Sequence, residues 1–276
     1  MKARELMEEL FARADEPVRD TVDTCKAGDP ERALRRVATC FITTPEVIRA
    51  AGDWGADLLI THEPTYYEHR DHLGAIPDDP VMQAKKRLLE GTGMTVYRLH
   101  DHMHASTPDG IIEGELHALP WDCAHDGHFA VTLREPRTAR QVAADLEKHW
   151  GLRRVRMVGA LDEPMTGVYL MIGAYGEENH LKALRKPECQ ILVVGETSEW
   201  RIAEYVRDAV QLGLSKAMLV CGHVGSEREA MEYAAHWLEE VNLTEFANRS
   251  AGTLAYGQQR RLEIARCMMT RPRILM

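Results

Sequence analysis

The chain has 276 residues, 45% of them hydrophobic and 28% charged, with a formal net charge of -9. That length allows one large or two smaller domains with a sizeable core, and the acidic balance argues against a general nucleic-acid or anionic-membrane surface. No apolar run approaches the roughly 18–20 residues that span a bilayer. The opening MKARELMEELFARAD reads as an amphipathic helix rather than a signal peptide, so a cytoplasmic protein is expected. Six cysteines (Cys25, Cys40, Cys123, Cys189, Cys221 and Cys267) show no C-x-x-C spacing and read as reduced core residues rather than disulfides or zinc ligands.

Taken in chain order, seven short apolar runs predict buried strands: VATCFI (37–42), ADLLIT (56–61), MTVYRL (94–99), HFAVTL (128–133), GVYLMI (167–172), QILVVG (190–195) and KAMLVC (216–221). Between them TPEVIRAAGDWG, DPVMQAKKRLLEGTG, TARQVAADLEKHWG, NHLKALRK and EWRIAEYVRDAVQLGL place apolar residues at helical spacing. Strands alternating with helices predict an α/β architecture, with a second lobe inserted over about residues 115–185.

Three of these strands end in clusters of polar residues. ADLLIT runs into His62-Glu63-Pro64, MTVYRL into His100-Asp101-His102-Met103-His104, and KAMLVC into Gly222-His223-Val224-Gly225-Ser226-Glu227. Ligands in α/β proteins bind beyond the carboxyl ends of strands, and imidazole with carboxylate is the ligand set of zinc, iron or manganese. After KAMLVC, Ser226 is expected to N-cap the next helix with Glu229 closing a capping box. The segment 100–104 allows two readings. If extended, His100, His102 and His104 share a side; if helical, His100 and His104 pair. Asp101 is either a ligand or a partner that orients a ligand imidazole. Of the thirteen histidines, His117, His125, His128, His149, His180 and His236 read as ordinary surface or core residues, while His69 and His72, close after Pro64, either line the mouth of a site or are solvated loop residues.

The pieces ADLLITHEPTYYEH, YRLHDHMHASTPDGI and KAMLVCGHVGSEREAMEYAAHWL, in this order, resemble the Nif-three-like dinuclear-metal-centre hexameric family, known also as GTP cyclohydrolase I type 2, over roughly residues 1–240. The resemblance implies a two-lobed α/β fold over 1–242, two divalent ions and a toroidal homohexamer. The usual family pattern is His-His-Pro, then His-x-x-x-Asp, then His-x-x-x-Glu. Here Glu63 stands where a second histidine is usual and His104 where the aspartate is usual. His62, Glu63, His104, His223 and Glu227 still total three imidazoles and two carboxylates, so the two departures compensate in charge. The resemblance thus implies His62, Glu63, His104, His223 and Glu227 as metal ligands, with His100 as a ligand or its support, and Glu63 in the bridging role.

Two adjacent ions activate water, so a metal-dependent hydrolase acting on a small molecule is the leading expectation. Glu196 and Glu199, in VVGETSEW, are candidate general bases; either is equally a helix N-terminal charge. The alternative from another class is a non-catalytic metal-binding toroidal scaffold. No G-x-S-x-G arrangement offers a competing nucleophile.

Residues 243–276 read differently, with six arginines against two glutamates; their net +4 leaves -13 for residues 1–242. LAYGQQRR resembles the signature region of an ABC-transporter ATPase of the branched-chain amino-acid uptake type. No G-x-x-x-x-G-K-[ST] loop lies upstream to cradle phosphates, so nucleotide hydrolysis is not expected. A chimeric C-terminus is the expected origin, a genuine fusion the rival, and a foreign helical tail the expected form.

Overall fold

A computed structural model describes residues 1–227 apart from 13, 16, 17, 73, 75, 76 and 106–108. Two compact units divide after Ser106.

The first unit contains α1 (Ala3–Phe11), β1 (Cys25–Ala27), β2 (Val37–Cys40), α2 (Pro45–Trp54), β3 (Leu58–Thr61), α3 (Pro80–Thr92), β4 (Thr95–Arg98) and the single turn α4 (Asp101–His104). Its sheet has the order β1-β4-β3-β2, with β2, β3 and β4 parallel and β1 antiparallel at the edge. Successive strand residues alternate between two cores. Ala38, Leu59 and Val96 pack with Ile48, Ala51 and Leu89 of α2 and α3. Val37, Leu58, Ile60 and Tyr97 pack with Ala3 and Met7 of α1. Covering both faces is what makes the strands read as continuous apolar runs. The helix ends are written in the sequence: Thr44 and Asp79 cap the N-termini of α2 and α3 ahead of prolines, and Gly55 and Gly93 close both in the left-handed conformation.

The second unit contains α5 (Gly110–His117), β5 (Cys123–His125), β6 (Ala130–Arg137), α6 (Ala139–His149), β7 (Arg156–Gly159), β8 (Met165–Met171), α7 (Glu177–Leu184), β9 (Ile191–Val194), α8 (Glu204–Gln211), β10 (Ala217–Val220) and the turn α9 (His223–Ser226). A π-helical turn, Glu199–Ala203, leads into α8. The sheet order is β5-β6-β8-β9-β10-β7, with β8, β9 and β10 parallel. Tyr169, Leu192, Val194 and Met218 pack with Leu184, Ile202 and Val206 from α7, the π-turn and α8.

All seven predicted strands are present. The lobe read at about 115–185 is wider in the structure: β9 and β10 hydrogen-bond into the same sheet as β8 and belong with it. β1, β5 and β7 are additional; each is a short edge strand with no buried apolar run to betray it. All five described cysteines are free, and Cys267 lies outside the described residues. No described helix is long and apolar enough to cross a membrane.

Candidate metal centre

In the first unit the site grows from the ends of β3 and β4. β3 delivers His62, whose Nδ1 lies 3.1 Å from the Leu99 carbonyl oxygen. A carbonyl only accepts, so Nδ1 carries the proton and Nε2 keeps a lone pair. That Nε2 is buried and has no hydrogen-bond partner among the described residues. Burial, then the neighbouring His100 and His104, holds the His62 imidazole well below its ordinary pKa, so it is neutral.

After β4 the chain turns helically. The His104 N–H donates to the His100 carbonyl at 3.2 Å, which brings the two rings to a centroid separation of 4.8 Å. Both face His62, at 4.6 Å for His100 and 5.4 Å for His104. One ring nitrogen from each of the three lies within 4.8 Å of the others, a spacing open to a metal ion. Of the two readings of 100–104 the helical one holds, and His102 turns away, its Nδ1 2.6 Å from Asp23 and its ring stacked on Phe11. Asp101 orients an imidazole: its Oδ1 is 2.9 Å from His100 Nδ1, and its Oδ2 accepts from Thr21 Oγ1 at 2.8 Å and the Val22 N–H at 2.9 Å. The His100 hydrogen bond is the chief reason its carboxyl sits far below the usual range.

Glu63 follows His62, and its Oε2 is 4.0 Å from a guanidinium nitrogen of Arg98. Arg98 is 1% exposed. It donates through Nε to the His62 carbonyl at 2.8 Å and through Nη1 to the His69 carbonyl at 2.5 Å. A charge inside the buried run TVYR has to be partnered, and here its partners are the backbone and the carboxylate of the predicted ligand segment. His69 is exposed, with its ring edge-on to His100 at 6.2 Å.

In the second unit the carboxyl ends of parallel β8, β9 and β10 carry Gly173, Gly195-Glu196 and Gly222-His223. A Cβ on Gly195 would lie 2.5 Å from the Gly173 carbonyl oxygen and 2.8 Å from Ser226 Oγ, so only glycine lets these strand ends close. His223 Nε2 is 3.4 Å from Glu227 Oε2, and its Nδ1 is 3.7 Å from Glu196. Glu227 is 4% exposed, and its Oε2 has no hydrogen-bond partner among the described residues. Ser226 ends α9, accepting from the Gly173 N–H at 3.1 Å and donating to the His223 carbonyl at 2.9 Å, and Gly222, with φ of 82°, starts the turn; the helix that Ser226 is expected to cap falls beyond the described residues. Glu229 lies outside the described residues.

The six predicted ligands thus fall into two sets, His62, Glu63, His100 and His104 in the first unit and His223 and Glu227 in the second. The two candidate bases differ: Glu196 stands beside His223, whereas Glu199 opens the π-turn and is ion-paired to Arg156. Asp23, Arg98 and Gly173 escape the sequence reading. The signals for the last two were a charge within a buried strand and a glycine at a strand end; Asp23 carries none. The proposed tail, residues 243–276, and His236 lie outside the described residues.

Histidines and carboxylates at the ends of parallel strands, in a mixed α/β chain, mark a class of candidate metal-binding proteins. The profile of the Duf34/NIF3 (NGG1p interacting factor 3) family matches residues 1–250, and the chain belongs to that family. It is 22% identical over 210 residues to a GTP cyclohydrolase 1 type 2 homolog of Clostridium perfringens, covering 72% of this chain and 76% of that protein. Among solved structures, Staphylococcus aureus SA1388 superposes with a TM-score of 0.69 at 16% identity, covering 90% of this chain and 94% of that one. A Bacillus cereus protein related to NIF3 does so with a TM-score of 0.65 at 13% identity, covering 87% and 94%. These are likenesses of fold. A stretch of 51 residues is 63% identical to the high-affinity branched-chain amino acid transport ATP-binding protein LivG of Escherichia coli, 18% of this chain. The chain covers only 20% of LivG's length.

Proposed function

We propose that this protein binds two divalent metal ions through His62, Glu63, His100, His104, His223 and Glu227 and is a metal-dependent hydrolase of the GTP cyclohydrolase I type 2 kind. The observation that carries this reading is the buried Nε2 of His62, deprotonated by the Leu99 hydrogen bond, without a hydrogen-bond partner among the described residues and facing the rings of His100 and His104. A buried polar atom left unpaired costs about 1–3 kcal/mol, and a cation would repay that cost. The pocket beside Gly173 that admits the Glu227 carboxylate fits the same reading.

A bound divalent ion supplies Lewis-acid polarisation and water activation. The chain's own residues do the rest. Asp101 and the Leu99 carbonyl set the tautomers of His100 and His62 so that each presents Nε2. Arg98 fixes the segment that presents Glu63, and Glu196 is the carboxylate next to His223 placed to move a proton. A homohexamer follows as part of the proposal from the family resemblance.

Elemental analysis of protein purified without added metal, paired with Glu63→Gln, tests the reading. Two equivalents of zinc, iron or manganese are expected in the parent and fewer in the variant. Two ions retained at full affinity in Glu63→Gln would sink the bridging role assigned to Glu63, and a metal-free parent that takes up none would sink the whole reading.

A further inference from the structure

We propose that Asp23 is the positioning residue of the His100–His104 pair. This assignment rests on the metal-binding reading, deepens it, and concerns a residue outside the ligand set.

His100 and His104 face the same way only because the segment between them is helical, and residues four apart share a helix face. One turn of four residues does not sustain itself: nucleation is unfavourable, and the first N–H groups of a helix have no partners within it. Asp23 supplies those partners. Its Oδ1 accepts from the His100 N–H at 2.6 Å and the Asp101 N–H at 3.2 Å, and its Oδ2 accepts from the His102 N–H at 2.9 Å and faces His102 Nδ1 at 2.6 Å. Three successive backbone donors and one ring therefore converge on a carboxylate that is 3% exposed. Such charge-assisted bonds are short and directional. They fix His100 at φ -134° and ψ -68°, a backbone setting neither strand nor helix, from which its ring turns toward His62. Thr21 and Val22, immediately before Asp23, hold the carboxylate of Asp101, which in turn holds His100 Nδ1. The triplet Thr21-Val22-Asp23 is thus a template on which the turn is laid, and its removal leaves the ligands present but misdirected.

Titrating the full chain with cobalt(II) tests this, with Asp57→Asn as the control. Asp57 is an equally buried aspartate of the same unit that also accepts backbone N–H groups, from Arg35 at 2.8 Å and Arg36 at 3.1 Å, away from the histidines. Asp23→Asn is expected to weaken cobalt binding at least about tenfold, while Asp57→Asn leaves it unchanged. Parent-like affinity in Asp23→Asn, or an equal loss in both variants, overturns the proposal. Should Asp23→Asn not fold, Asp23→Glu, which keeps the charge and moves it outward by a methylene, takes its place: weakened binding supports the assignment and parent-like binding overturns it. If the parent itself binds no cobalt, the metal reading fails and the positioning role is judged separately on ring nitrogen shifts of nitrogen-15-labelled histidine. Loss of the single His100 tautomer in Asp23→Asn but not in Asp57→Asn then supports it, and an unchanged spectrum overturns it.

Discussion

Gly173 and Glu227 share one volume: a Cβ built on Gly173 would lie 1.8 Å from Glu227 Oε1. The glycine also sits at φ 66°, where side chains are strained. Gly173→Ala is therefore expected to evict the Glu227 carboxylate and to destabilise the second unit by about 1–3 kcal/mol. Chemical denaturation measures the second effect, and a metal titration the first. An alanine variant with parent stability and parent metal affinity would show that the carboxylate does not use this space.

Arg98→Met removes the donor to the His62 and His69 carbonyls and the cation beside Glu63. Breaking such a buried polar set costs about 3–5 kcal/mol, and a loss of this size is expected in urea unfolding. Arg98→Lys keeps the charge but lacks the fork that reaches two carbonyls at once, so it should recover only part of the loss. Full recovery by lysine would mean that charge alone matters here.

Asp101→Asn tests whether this carboxylate acts through His100. The amide keeps the volume but not the charge that stabilises the Nδ1-protonated ring, and loss of such a support typically lowers metal affinity about 10–100-fold. Isothermal titration with zinc or manganese reads the change directly. Retention of full affinity would remove Asp101 from the site.

Acid stability offers a check on the first unit. Burial pushes the Asp57 carboxyl up, but the backbone N–H groups of Arg35 and Arg36 and the Arg32 guanidinium outweigh it and hold it below its ordinary value. A carboxyl depressed in the folded state contributes stability that is present above its unfolded pKa of about 3.9 and is lost as pH falls through the folded value. Asp57→Asn should therefore flatten the decline in stability below about pH 4, measured as the unfolding midpoint against pH. An unchanged slope would mean that other carboxyls carry that limb.

The main elements were legible because both faces of each sheet are covered, so Leu58 to Thr61 and Ile191 to Val194 read as unbroken buried runs. The edges were not: Cys25–Ala27 and Cys123–His125 bury little, and pairing alone makes them strands. α5 was missed because Gly110 and Gly114 lower its helical signal, although Asp109 caps it by accepting from the Ile111 N–H at 2.8 Å. At the site, the identity of the histidines was visible as clustering at strand ends. Their orientation was not, since it depends on Asp23, 79 residues from His102, and on carbonyls that leave no mark in composition.

Those separations bear on the order of events in folding. Thr21 meets Asp101 across 80 residues and His62 meets Leu99 across 37, so the histidines are aimed only after β1, β3 and β4 have paired. Closing such loops is an entropic cost that the sheet must already have met. On the proposed metal-binding function, an ion would then arrive at a unit already folded, unlike one that nucleates a zinc finger. Refolding of the first unit should run at the same rate with and without metal, and the ion should act on unfolding alone, lengthening the life of the native state. Stopped-flow refolding in the presence of chelator checks this, and metal-accelerated refolding would reverse the order.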